Sequence, residues 1–121
     1  MQMETIDLLK LLLALLAGGL IGAEREFRDK AAGFRTLILI CTGAALFTML
    51  STRFGSTGDP ARVAAGVVSG IGFLGAGVIL RDRGRIMGLT TAAIIWMTAA
   101  IGVAIGTGQL LLALTAQLMV M

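Results

Sequence analysis

The side chains of this sequence that could carry chemistry sit in a few short clusters. Glu24, Arg25 and Glu26 follow one another, with Arg35 eleven residues after Glu24. This group either closes a helix in solvent or builds a carboxylate–guanidinium site at a membrane surface, since arginine holds carboxylate or phosphate in a two-pronged geometry. Arg25, Arg28 and Arg35 together could also clamp a lipid headgroup. Asp7 and Lys10 stand one helical turn apart, a spacing that predicts a local ion pair. Asp59 precedes Pro60, so it is placed to cap a helix with proline at the first helical position, and Arg62 lies one turn further on. Thr90 and Thr91 can bond backbone carbonyls or line a polar path; the backbone role is expected.

Other chemistries find no support. The string Gly-Ile-Gly-Phe-Leu-Gly at 70–75 matches the dinucleotide pattern, but it lies inside an apolar run rather than between a soluble strand and a helix, so helix packing is expected. No nucleophile–base pair or cluster of metal ligands is visible, so neither an enzyme nor a cofactor is expected. Histidine is absent. The single cysteine, Cys41, falls within an apolar run and reads as a small buried residue. The +3 net charge is split among short clusters that mix both signs, which makes a poor stripe for tracking nucleic acid.

The elements that must position these groups are membrane helices. Of the 121 residues 57% are hydrophobic and only 14% charged, more apolar surface than one small core can hide, so lipid is the expected solvent for the rest. Apolar runs at 6–23, 36–52, 63–80 and 89–105 are each close to the length that crosses a bilayer as a helix. Within the first, the stretch Leu8–Ala17 is preceded by Glu4 and Asp7 rather than a basic stretch, so it reads as a retained span. A last run, 109–121, reaches only about 20 Å as a helix and predicts a partial fifth helix or a fifth span cut short. Strands are not expected, because the runs lack period-two alternation. The fold class is an all-α, polytopic transmembrane bundle forming one domain over 1–121.

The connectors at 24–35 and 81–85 share one side and carry Arg25, Arg28, Lys30, Arg35, Arg81, Arg83 and Arg85. The connector near 53–62, with Gly55 and Gly58, has only Arg53 and Arg62. The positive-inside rule then puts the first and third connectors in the cytoplasm and the N-terminus outside.

Lipid gives little hydrophobic drive for helix association, so small residues must let backbones approach. Gly66, Gly70 and Gly77, with a second stripe through Ala65, Ser69, Gly72 and Ala76, suggest neighbours on both sides of the third span and place it centrally. Gly75 belongs to the same run, Gly102 to a similar stripe in the fourth span, and Trp96 is expected to pack against glycine-rich backbone. Such stripes could also join two copies in a homodimer.

The strings Gly-Leu-Ile-Gly-Ala-Glu-Arg-Glu at 19–26, Gly-Phe-Arg-Thr at 33–36, Ser-Gly-Ile-Gly-Phe-Leu-Gly-Ala-Gly at 69–77 and Gly-Leu-Thr-Thr-Ala-Ala at 88–93, followed by Trp96, resemble the MgtC/SapB family of bacterial membrane proteins. The resemblance implies a five-span inner-membrane domain associated with growth under low magnesium and, in pathogens, survival inside host cells. It makes Glu24, Arg25, Arg35, Thr36, Asp59, Arg62, Thr90, Thr91 and Trp96 family-signature positions. Some members carry a soluble C-terminal regulatory domain beyond the point corresponding to Met121. The leading expectation is a modulator that binds another membrane protein through glycine-rich faces. The alternatives are a magnesium or other ion transporter or channel, and a lipid-binding protein.

Overall fold

A computed structural model describes residues 4–54 and 58–121; Gly55 of the second connector lies outside them. The chain forms helices α1 (Thr5–Phe27), α2 (Phe34–Ser51), α3 (Pro60–Gly77), α4 (Leu89–Gly106) and α5 (Leu110–Val120). The first four are long and apolar enough to cross a membrane, and α5 is shorter. Large apolar side chains such as Leu16, Leu39, Phe73 and Leu111 point outwards, as expected of a surface facing lipid.

Local chemistry sets the helix ends. Asp7 accepts the backbone N–H of Glu4 at 2.9 Å at the start of α1. Asp59 accepts from the N–H groups of Ala61 at 3.1 Å and Arg62 at 3.3 Å, and Pro60 occupies the first turn of α3, as the sequence predicts. The third connector differs from expectation. It is an antiparallel hairpin of β1 (Leu80–Asp82) and β2 (Arg85–Met87), with Leu80 opposite Met87. Arg83 and Gly84 both have positive φ, at 50° and 77°, the backbone a two-residue hairpin turn requires. The third helix therefore stops at Gly77, and the last residue of the apolar run, Leu80, enters a strand.

The core is built where α1 and α4 both cross α2. Ala14, Leu37, Cys41, Ala45, Ile95 and Ile101 are buried there. A Cβ at Gly18 would lie 2.5 Å from the Leu37 carbonyl oxygen, and one at Gly106 would lie 2.7 Å from that of Ala45. A Cβ at Gly102 would overlap the Cys41 carbonyl and come within 2.9 Å of the Ala44 Cβ. These glycines let three backbones meet, as small residues do inside a membrane.

The central place expected for the third helix belongs instead to α2 and α4: α2 packs against α1, α3 and α4, and α4 packs against α1, α2, α3 and α5. On α3 only Gly75 is buried; a Cβ added there would lie 3.5 Å from the Ala92 Cβ of α4. The small-residue stripes permit close approach but supply no neighbour, so the stripe pattern alone misplaces this helix.

Candidate functional site

Two polar clusters close the ends of the bundle. At one end, α1 stops as its last turn leaves the apolar run, and α4 begins after Gly88. This brings Arg25 to the first turn of α4. Arg25 is 8% exposed. Its Nη2 donates to the Thr91 hydroxyl and, at 3.0 Å, to the Ala31 carbonyl oxygen. Its Nε is buried and has no hydrogen-bond acceptor. Thr91 thus serves a side chain rather than the backbone role expected from sequence. Thr90 next to it is exposed and lines a cavity of about 250 Å³ with Glu24, Arg25, Arg28 and Lys30.

Glu24 faces Arg28 one turn on, at 3.8 Å, not Arg35. Glu26 is exposed, with its carboxylate against Gly33. Arg35 and Thr36 sit at the exposed start of α2 and do not join the Arg25 cluster. The carboxylate–guanidinium site therefore draws its basic members from the end of α1 and the loop after it.

The other end holds a different clasp. Asp7 is buried and pairs with Arg53, just past the end of α2. The expected Asp7–Lys10 pair does not form; Lys10 Nζ reaches across to the Gly106 carbonyl oxygen at 3.2 Å, capping the end of α4. The hydrogen bond that Arg53 donates to the Asp7 carboxylate, reinforced by that charge, raises the Arg53 pKa above its ordinary value. Asp59 and Arg62, at the start of α3, are exposed.

Gln117 was not singled out from the sequence, yet it is buried on α5 and donates at 3.1 Å to the Ala17 carbonyl oxygen of α1. Its signal was available: it is the lone amide within the apolar stretch Leu110–Val120. Arg53 had no local signal, because its partner lies far away in sequence.

The glycine faces divide. Gly102 packs in the core and Gly75 against α4, whereas a Cβ at Gly66, Gly70, Gly72 or Gly77 would meet nothing within 4 Å. Gly66 and Gly70 line an apolar groove of about 560 Å³ between α2 and α3, walled by Leu39, Phe47 and Leu74. Trp96 is 53% exposed and lines a smaller groove of about 310 Å³ between α3 and α4 with Gly72 and Gly75. Among the described residues no three His, Cys, Asp or Glu side chains converge to hold a metal ion. The hydroxyls of Thr48 and Thr98, buried in the core, donate to carbonyls of their own helices, at 2.8 and 2.7 Å.

Comparison with known proteins places this architecture. The profile of the MgtC family matches residues 11–121. Protein MgtC of Salmonella typhimurium strain LT2 is 52% identical over 114 residues, 94% of this chain and 49% of that protein. Protein MgtC of Brucella abortus strain 2308 is 52% identical over 95 residues, 78% of this chain and 40% of that protein. The chain thus spans about half the length of the curated relatives it matches or less. No solved structure matches it.

Proposed function

The chain belongs to the MgtC family, and from that premise we propose that it modulates another integral membrane protein by docking it against α3, in adaptation to low magnesium or intracellular stress. One observation carries this reading: α3 buries only Gly75 and leaves Gly66, Gly70, Gly72 and Gly77 open beside an apolar groove of about 560 Å³. Helices associate in lipid through such surfaces, where an incoming backbone gains van der Waals contact that acyl chains supply poorly. In this reading the chain lies in the bacterial inner membrane, with the Arg25 end and the 80–87 hairpin facing the cytoplasm under the positive-inside rule.

The competing reading, transport of magnesium or another ion, draws on the charges at the bundle ends. The buried hydroxyls of Thr48 and Thr98 turn to backbone rather than to a shared path, which favours docking. The test is copurification from native membranes with Gly66→Leu and Gly70→Leu. Their sites are open, so the bundle is expected to fold. A partner recovered with the unsubstituted chain and lost with both variants supports the proposal. Recovery of self-oligomers alone, or a partner retained by both variants, contradicts it.

A further inference from the structure

The cavity beside Arg25 has features that a structural salt-bridge cluster does not need. Three cations, Arg25, Arg28 and Lys30, surround it against one carboxylate, Glu24. Glu24 is only loosely engaged, at 3.8 Å from Arg28, whose side chain is 72% exposed. The local balance therefore remains positive. Arg25 is more than nine-tenths buried and held by Thr91 and the Ala31 carbonyl, yet its Nε has no acceptor. A buried guanidinium N–H without a partner is costly, and the guanidinium that carries it belongs to a residue lining the cavity, where an anion would gain a charge-assisted donor.

The rest of the lining selects among anions. Ile21, Ile94 and Val120 form an apolar wall next to the charged rim. Arg25 lies in the last turn of a helix long enough to span the bilayer, so the cavity opens at headgroup depth. A charged rim over an apolar wall at that depth matches an amphiphile with a phosphate next to a glycerol and acyl stem. Basic pockets between membrane helices bind anionic headgroups in this way.

We infer that the cavity between the end of α1 and the start of α4 binds a phosphate oxyanion, presented by the headgroup of an anionic phospholipid. Arg28 and Lys30 draw the phosphate in by charge, the Thr90 hydroxyl donates from the rim, and Arg25 supplies the innermost donor. Arg35 is not part of the site. The docking face on α3 is separate from it, so either proposal can fail without the other.

The test is lipid retention by the purified chain, read by native mass spectrometry with phosphatidylglycerol against phosphatidylcholine, and with inorganic phosphate as a soluble competitor. Preferential retention of phosphatidylglycerol is expected. The exposed pair Arg28→Ala and Lys30→Ala should lower it about tenfold, the equivalent of one charge-assisted hydrogen bond. Arg62→Ala, an exposed arginine at the opposite end, should leave it unchanged. Equal loss in the Arg62 variant, or no preference for phosphatidylglycerol, overturns the proposal. Saturable inorganic phosphate binding that needs Arg28 and Lys30 but shows no lipid preference would overturn the lipid source and assign the site to free phosphate. Because Arg28 and Lys30 are surface residues, these outcomes do not depend on a variant that disturbs folding.

Discussion

The glycines of α1 and α4 and the glycines of α3 occur at similar helical spacings and end in opposite surroundings. At Gly18, Gly22, Gly102 and Gly106 an added Cβ would strike neighbouring backbone, whereas at Gly66, Gly70, Gly72 and Gly77 it would meet open space. In lipid, a small-residue stripe states that a close approach is possible. Whether the approach is made within the chain depends on the helices opposite. Here α2 meets α1 and α4 closely, and the α3 stripe at Gly66, Gly70, Gly72 and Gly77 stays open.

The sharpest way to break this contrast is to add bulk on both sides of it. Gly102→Leu should prevent folding or lower stability by more than the about 1–3 kcal/mol typical of overpacking, because the obstacle is the Cys41 carbonyl rather than a mobile side chain. Thermal unfolding in detergent, followed by helical circular dichroism, would check it. Arg53→Ala should lower the midpoint by less, since Asp7 loses its partner across the α1–α2 end but can still meet water. Cys41 gives an intermediate readout. It is fully buried at the crossing of three helices, so a membrane-permeable maleimide should label it only after unfolding. Labelling of the folded chain would show that the crossing is loose. The smallest effect is expected at Gly70→Ala. It meets no obstacle and gains helix propensity, so stability should change by less than about 1 kcal/mol. A large loss there would mean that the Gly70 face of α3 packs against another part of the folded chain.

The helical bundle was legible in the sequence because long apolar runs have few other solutions in lipid. The Asp59–Pro60 start of α3 was legible for a different reason: an N-cap is decided by residues within one turn. Asp7 was misread because the i,i+3 neighbour Lys10 offered a local partner, while the one it takes, Arg53, is brought near only when α1 packs on α2. The Arg25 cluster was half legible. Its glutamate, arginine and threonine were picked out by residue type, but Lys30 and the buried Nε of Arg25 become meaningful only once α4 arrives. The hairpin at Leu80–Met87 was hidden inside a charged connector whose Arg83–Gly84 turn was its one signal.

The central claim is that the open stripe of α3 meets a protein, whereas the bare outer surface meets lipid. A photo-crosslinking residue placed at Gly70 and, separately, at Leu111 in living cells compares the two directly, since both positions are open to the bundle exterior. The account predicts a discrete protein adduct from position 70 and none from position 111. The same adduct pattern from both positions, or none from position 70, would contradict it.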